Sequence, residues 1–214
     1  MTSGSEQNRI RWVYSSVSNQ DLQERYDQWA GDYEADLDRD FGWVCPDETA
    51  SLVVKYVKRE TRILDAGVGT GVMGEKLARL GYGNLMGIDL SPGMLAEAEK
   101  KKVYLGLSQM TLGEYLEFPD DYFGAVVSVG VFTTGHAPAS SMHELVRITR
   151  PGGHIIFSLP VNVYNDTGFM ELQEELSASG RWRLLEATHE FPGLPRGEPD
   201  VMHQIWAYEI EELS

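Results

Sequence analysis

Two aspartates and a glycine-rich turn are the residues with the clearest capacity for chemistry. Asp65 ends a short apolar run, and Gly67, Gly69 and Gly71 follow it at every second position. Glycines placed there let a ligand approach bare backbone amides at the start of a helix. Asp89 ends the next apolar run, where a carboxylate accepts hydrogen bonds from both hydroxyls of a ribose. The spacing therefore predicts a nucleoside pocket.

A second interpretation of the same residues is a nicotinamide dinucleotide site. Residues 69–74 satisfy the GxGxxG pattern, and Asp89 stands 20 residues after Gly69. Counted from Gly67, however, the third glycine of the pattern is replaced by Val72. No substrate domain and no residue suited to hydride transfer can be identified. An NAD-dependent oxidoreductase therefore stays open as an alternative function.

Short apolar runs alternate with helical patterns from residue 62 onward, which is typical of a doubly wound α/β fold. The apolar runs predict five strands, over 62–66, 84–89, 103–110, 125–129 and 154–159. Two further β-rich segments, 182–190 and 202–210, are joined by a turn-rich linker over 191–200. No crossover helix fits between them, so these two strands must be antiparallel to each other.

The segment before the first strand predicts an arm and two helices. Residues 1–20 are polar without a regular apolar period, which indicates a flexible arm or a loosely docked lid. Apolar residues then recur every three or four positions, as on one face of a helix. The acidic residues on the opposite face, among them Asp27 and Asp36, are interpreted as solvated. Asp47 is predicted to cap the second helix.

Composition limits the possible classes of protein. The 214 residues, 42% of them hydrophobic, can bury the core of one domain. Cys45 is the one cysteine and the amino terminus does not resemble a signal peptide, so we expect a cytoplasmic protein. A formal charge of −15 disfavours nucleic acid, and no apolar run approaches the roughly 20 residues of a membrane helix. No histidine or cysteine spacing predicts a metal site.

The order of these motifs resembles that of class I methyltransferases, which depend on S-adenosylmethionine (SAM). The segments that carry the resemblance are 26–33, 63–71, 87–95, 118–123 and 144–153. The resemblance covers residues 22–160 and implies a Rossmann-like doubly wound sheet of seven strands with helices on both faces. The implied strand order is 3-2-1-4-5-7-6, with strand 7 antiparallel.

The same resemblance implies the domain organisation. A single methyltransferase domain is expected over residues 21–214, after the arm. It would comprise a helical cap over 21–60, a SAM-binding core over 61–160, and a C-terminal helix with an antiparallel strand pair over 161–214.

The resemblance also implies which residues bind SAM or its product S-adenosylhomocysteine (SAH). In that family the aspartate at the position of Asp65 orders the glycine loop and helps hold the amino acid end of SAM. The residues expected to bind the cofactor are Asp65, Gly67, Gly69, Thr70, Gly71, Asp89, Leu90, Met94, Thr111, Leu112, Tyr33 and Trp29. The chain departs from the family pattern in two respects. Thr111 and Leu112 stand where many relatives bond adenine with an aspartate, and Gly124 replaces the aspartate of a Phe-Asp pair.

The methyl acceptor is less well specified than the cofactor. In-line methyl transfer depends mainly on alignment, but a hydroxyl or protonated amine benefits from a base. His136, after the fourth strand, is the candidate base, and an ordinary loop histidine is the alternative. Tyr33, His136, Asn162 and Tyr164 are expected to line the acceptor pocket. A small-molecule acceptor and a monomer or weak dimer are predicted, with a non-catalytic SAM-binding protein as the main alternative function.

Overall fold

The computed structural model describes residues 9–212. Within this range the strands are β1 (Ile63–Ala66), β2 (Leu85–Asp89), β3 (Gly106–Gln109), β4 (Phe123–Ser128), β5 (Thr149–Pro160), β6 (Trp182–Ala187), β7 (Phe191–Leu194) and β8 (Glu198–Ile210). The α-helices are α1 (Arg9–Tyr14), α2 (Asn19–Trp29), α3 (Tyr33–Asp36), α4 (Cys45–Tyr56), α5 (Val72–Arg79), α6 (Pro92–Lys100), α7 (Ser141–Ile148), α8 (Val161–Asp166) and α9 (Phe169–Ala178). A π-helical turn, Leu37–Phe41, follows α3.

One mixed sheet organises the molecule, with the strand order β3-β2-β1-β4-β5-β8-β6. Strands β1 to β5 pair in parallel, and β8 runs antiparallel to both β5 and β6. The predicted Rossmann-like doubly wound fold is therefore confirmed, with β8 in the place of the predicted strand 7. Because β1, β2 and β4 are parallel, their carboxyl ends meet at one edge of the sheet.

Strand β7 is an eighth strand that the sequence analysis missed. It lies inside the predicted linker and pairs antiparallel with the first half of β8, where Phe191 faces His203 in the register. Pro192 and Gly193 occupy two of its four positions. Both residue types are depleted in strands, so the local sequence indicates a turn.

Helices cover both faces of the sheet and build two apolar cores. One core joins α7, α8 and α9 to the sheet and includes the fully buried Phe157 and Phe169. The other joins α4 and α5 to the opposite face and includes Val53 and Leu77. Strand β4 is buried at all of its positions, which explains its uninterrupted apolar sequence.

A third apolar cluster forms the amino-terminal cap. Within the predicted flexible arm or loosely docked lid, residues 9–14 form α1, with Ile10 and Val13 buried against α2 and the π-helical turn. Burial of these two side chains favours a helix despite the polar neighbourhood. Residues 1–8, the rest of the predicted arm before α1, lie outside the described residues.

No helix in the described part of the chain is both long and apolar enough to cross a membrane.

Two acidic residues of the cap have partners that the prediction of a solvated face did not include, and one of them, Asp36, is buried, whereas Asp27 is exposed as predicted. The buried carboxylate of Asp36 accepts a hydrogen bond of 2.9 Å from Nε1 of Trp29. Oδ1 of Asp27 accepts hydrogen bonds from Oγ of Ser91 at 2.6 Å and from the backbone N of Gly93 at 2.8 Å. Since the first N–H groups of a helix have no partner within it, Asp27 joins α2 to the start of α6.

Two further predictions about helices need correction. Asp47 does not cap the second helix, because α4 begins at Cys45 with Pro46 in its first turn. Proline is favoured there since it has no N–H to leave unsatisfied. Helix α8, directly after β5, was not predicted, and its six residues are too few to show a helical period.

Candidate functional site

A cavity of about 890 Å³, including the part open to solvent, lies at the carboxyl edge of β1, β2, β3 and β4, and α2 also contributes to its wall. Its position follows from the parallel strands, whose following loops meet at this edge. The residues from the sequence analysis that line it are Tyr33, Asp65, Gly67, Gly69, Thr70, Asp89, Leu90, Met94, Thr111, Leu112 and His136.

Two residues expected to bind the cofactor do not line this cavity. Gly71 directly precedes α5 in the left-handed conformation, and a Cβ there would lie 3.2 Å from Ala98 of α6. Trp29 is buried, and its indole N–H is directed to Asp36. The ring of Trp29 instead packs against Tyr33, with 4.8 Å between ring centroids. Trp29 therefore supports Tyr33, which lines the cavity, and Gly71 lets α5 start close to α6.

Two residues expected to line the acceptor pocket are also elsewhere. Asn162 and Tyr164 lie on α8 and are absent from the cavity wall. Val163 of this helix is buried in the core, while the ring of Tyr164 stacks on Trp206 of β8 at 5.0 Å. The helix thus folds back onto the sheet, which carries both residues away from the cavity.

The glycine turn shapes the cavity floor. Gly67 and Gly69 have φ angles of 81° and 53°, a region that side chains disfavour. A Cβ on Gly67 would overlap the side chain of Val131, whereas no atom lies within 4 Å of a Cβ on Gly69. Because Gly69 lines the cavity, a side chain at this position would occupy space that a ligand needs. The hydroxyl of Thr70 is buried and has no hydrogen-bond partner among the described residues.

Asp89 is a buried carboxylate that holds the glycine turn against β2. Its Oδ2 accepts a hydrogen bond of 2.8 Å from the backbone N of Gly69, and its Oδ1 accepts one of 2.9 Å from that of Ser91. Burial raises the pKa of Asp89 to about 6, although these backbone N–H groups oppose the rise. The carboxylate is therefore ionised at physiological pH and retains lone pairs for a ligand.

Asp65 lies at the end of β1 and is even more deeply buried. The hydroxyl of Tyr104 donates to its Oδ2 at 2.7 Å, and the backbone N of Gly74 donates to that hydroxyl oxygen at 3.1 Å. Burial raises the pKa of Asp65 to about 7, the hydrogen bond from Tyr104 opposes this rise, and the charge of Asp89 adds to it. The site thus holds two neighbouring carboxylates whose ionised forms a positive charge would stabilise.

Gly74→Ala is expected to disrupt the support of Asp65. The added Cβ would overlap the hydroxyl of Tyr104, so we expect the free energy of unfolding to fall by about 1–3 kcal/mol. Chemical denaturation measures this change. Gly83→Ala is the control, because no atom lies within 4 Å of a Cβ there. A Gly74→Ala protein as stable as wild type would contradict the clash.

The side of the cavity formed by the cap contains a histidine with both ring nitrogens engaged. Nδ1 of His136 lies 3.0 Å from the carbonyl oxygen of Thr134, and Nε2 lies 2.8 Å from the hydroxyl oxygen of Tyr26. Burial lowers the pKa of His136, which favours the neutral ring. Since a carbonyl only accepts, Nδ1 carries the proton, and Nε2 accepts the hydrogen bond from Tyr26.

The sequence analysis missed about half of the cavity wall. The additional lining residues are Asn19, Leu22, Tyr26, Trp43, Val68, Val72, Met73, Met110, Val129, Gly130, Val131 and Ala137. Many of them are adjacent in sequence to residues that were predicted, so their positions in the chain could have indicated that they line the cavity. Asn19, Leu22 and Trp43 lie in the cap, and no local motif links them to the strand ends.

Comparisons with known proteins agree with this geometry. A family model described as a methyltransferase domain matches residues 64–157. Human methyltransferase-like protein 27 is 33% identical over 173 residues, which cover 76% of this chain and 68% of that protein. A ubiquinone biosynthesis O-methyltransferase from Alkalilimnicola ehrlichii is 36% identical over 101 residues, which cover 45% of this chain and 40% of that protein.

Solved structures give the same picture for the fold. An S-adenosylmethionine-dependent methyltransferase from Mesorhizobium loti matches with a TM-score of 0.57 and 16% sequence identity. The match covers 74% of this chain and 96% of that one. At this level of identity the likeness supports the arrangement of the elements alone.

Proposed function

This chain belongs to the class I SAM-dependent methyltransferases, and we propose that it transfers the methyl group of SAM to a small-molecule acceptor. The observation that carries the proposal is the arrangement of Asp65, Asp89 and the glycine turn around a single cavity. These residues come from the ends of two adjacent parallel strands, and both carboxylates are buried in the wall of the cavity.

The residues around the cavity fit SAM. The carboxylate oxygens of Asp89 accept backbone hydrogen bonds from Gly69 and Ser91 and retain lone pairs for the two ribose hydroxyls. The buried hydroxyl of Thr70 lacks a partner among the described residues and lies where a polar ligand group would satisfy it. The open space at Gly69 accommodates a ligand in contact with the backbone.

The remaining predicted residues have roles consistent with this placement. Leu90, Met94, Thr111 and Leu112 surround the region beyond Asp89 and would hold the adenine. Tyr33 offers an aromatic ring to a positively charged sulfur. SAM supplies a methyl group bonded to that sulfur, and the task of the chain is to hold the methyl group in line with the acceptor atom.

Two observations support a small-molecule acceptor. The cavity lies beneath α2, whose residues Leu22 and Tyr26 form part of its wall, so the reacting atom must enter a partly covered space. One relative is named as an O-methyltransferase of ubiquinone biosynthesis. The single cysteine favours a reducing compartment, and cytoplasmic localisation and a monomer or weak dimer stay predictions.

Isothermal titration with SAM, SAH and NAD tests the cofactor. We expect dissociation constants in the micromolar range for SAM and SAH, which corresponds to about −8 kcal/mol, and no binding of NAD. The three ligands share an adenosine, so a difference in affinity between them reports which attached group the cavity accepts: the amino acid chain of SAM and SAH, or the pyrophosphate and nicotinamide of NAD. Binding of NAD without SAM or SAH would contradict the proposal and favour the oxidoreductase interpretation.

A further inference from the structure

The cap side of the cavity is lined by apolar and neutral polar side chains. Its wall contains Leu22, Tyr26, Trp43 and His136, together with the amide of Asn19, and no lysine, arginine, aspartate or glutamate. The two carboxylates of the described cavity wall lie at the ends of β1 and β2, on the side that the proposed function assigns to SAM. A carboxylate or phosphate group on the acceptor would therefore be desolvated without an opposite charge, and the carboxylates that could pair with an ammonium group are those assigned to SAM. The wall favours a neutral acceptor.

Tyr26 and His136 form a hydrogen-bonded pair in this wall. The hydroxyl of Tyr26 donates to Nε2 of His136, and Nδ1–H of His136 donates to the Thr134 carbonyl. The ring of Tyr26 is parallel to that of Trp29, with 6.4 Å between centroids. Tyr14 packs edge-on against His136 at 5.3 Å. Packing on both sides fixes the pair in one orientation.

We propose that Tyr26 is a catalytic residue that passes the proton of the acceptor to His136, and that the acceptor is a neutral molecule with a hydroxyl group on an apolar body. This inference rests on the proposed function. The oxygen of Tyr26 has a free lone pair, because its own proton is directed to His136. It is therefore the atom of the pair that a bound hydroxyl group meets.

The proposed step balances as follows. The acceptor oxygen forms a bond to the methyl carbon, and the bond from carbon to sulfur breaks with its electron pair remaining on sulfur. The acceptor proton moves to the oxygen of Tyr26 while the Tyr26 proton moves to Nε2 of His136. The products are a methyl ether, SAH and a protonated His136, which later returns its proton to water through Tyr26.

A relay explains the geometry better than a tyrosine that acts alone. Burial raises the pKa of Tyr26 well above its ordinary value, so a free tyrosinate would be costly. Concerted transfer to His136 avoids that anion. The protonated ring keeps its hydrogen bond from Nδ1 to Thr134, so His136 need not change its position during the step.

The hydrogen-bond arrangement is tested without turnover. Long-range ¹H–¹⁵N spectra of the SAH-loaded protein, labelled at histidine, report which ring nitrogen of His136 carries the proton. We expect the Nδ1–H tautomer, which is the minor form of free histidine in water. A neutral ring protonated on Nε2 would overturn the relay, because Tyr26 would then lose its acceptor.

Kinetics test the catalytic role. The acceptor probes are 4-methylphenol, 4-methylaniline and 4-methylbenzoate, which share one ring and differ in the reacting group. We expect methylation of the phenol alone, and Tyr26→Phe should lower kcat about 100-fold while SAM affinity changes less than about threefold. His136→Gln should lower kcat to a similar extent, and the double variant should be no slower than either single one.

Tyr164→Phe is the matched control. It removes a phenol hydroxyl from a ring that stacks on Trp206 outside the cavity wall, so we expect a rate within about twofold of wild type. Additive losses from Tyr26→Phe and His136→Gln, or preferred methylation of the amine or the acid, would overturn the relay while leaving the proposed function intact. Failure of the wild-type protein to bind SAM would overturn the proposed function and the relay together.

Discussion

Replacement of Asp89 by alanine is expected to weaken SAM binding about 1000-fold, because two hydrogen bonds to a charged group are each worth about 1.5–3 kcal/mol. The structure adds a second effect. Asp89 also accepts from the backbone N–H groups of Gly69 and Ser91, so the substitution leaves both donors without their acceptor. We therefore expect a lower free energy of unfolding as well as weaker binding. Titration calorimetry and chemical denaturation of the same variant measure the two effects.

A thermodynamic cycle separates the ribose contacts from the effect on folding. The ligands are SAH and its 2′,3′-dideoxy analogue, and the proteins are wild type and Asp89→Asn, which retains one acceptor oxygen. If Asp89 binds the ribose, loss of the hydroxyls should weaken binding to wild type much more than to the variant. Equal losses in both proteins would remove Asp89 from the ribose site and leave it only the task of holding the glycine turn.

The parts of the site that the sequence predicted well are those encoded by neighbouring residues. Gly67, Gly69 and Asp89 follow directly from the ends of two parallel strands, whose positions the apolar runs indicate. Once the parallel order is known, the carboxyl ends of β1 and β2 must adjoin, as the register shows for Asp65 and Gly87. Local patterns and one rule of topology are therefore enough to place this half of the cavity.

Contacts between distant segments could not be predicted in the same way. Tyr104 bonds Asp65 across 39 residues, and Tyr26 bonds His136 across 110. The local sequence around each tyrosine does not identify its distant hydrogen-bond partner. Asp27 is exposed, as its place on the polar face of α2 predicted, but helical periodicity does not reveal that it also accepts hydrogen bonds from the start of α6.

The acceptor site shows a related limit. Asn162 and Tyr164 follow β5 and so begin at the expected edge of the sheet, but a six-residue helix turns them toward β8. The direction of that helix depends on the burial of Val163 and on the stacking partner Trp206, which lies 42 residues after Tyr164. Residues that follow a strand are therefore placed by their own packing as well as by the strand.

Asp65→Asn is expected to stabilise the ligand-free protein near neutral pH. Burial raises the pKa of Asp65 from 3.8 to about 7. Between these values the unfolded chain releases a proton that the folded protein retains, so the free energy of unfolding decreases as pH rises. This contribution is fully present below about pH 4 and is lost by about pH 7. Asparagine does not titrate, and its side-chain oxygen still accepts from Tyr104.

Thermal unfolding at a series of pH values measures the effect. Between about pH 5 and pH 7, Asp65 should lower the free energy of unfolding of wild type by on the order of 2 kcal/mol, which the variant avoids. The difference in Tm between variant and wild type should therefore widen by about 4–8 °C over this range. Glu60→Gln, at an exposed position, is the control and should show a constant difference.

The same substitution should weaken SAM binding, by about tenfold or more, since a positively charged ligand favours the ionised carboxylate that asparagine lacks. For wild type this coupling predicts that SAM affinity rises with pH up to about pH 7, as less free energy is needed to ionise Asp65. The decisive feature is that Asp65→Asn should raise the stability of the ligand-free protein but lower its affinity for SAM. If Asp65 only stabilised the fold, the variant would instead be less stable than wild type at every pH.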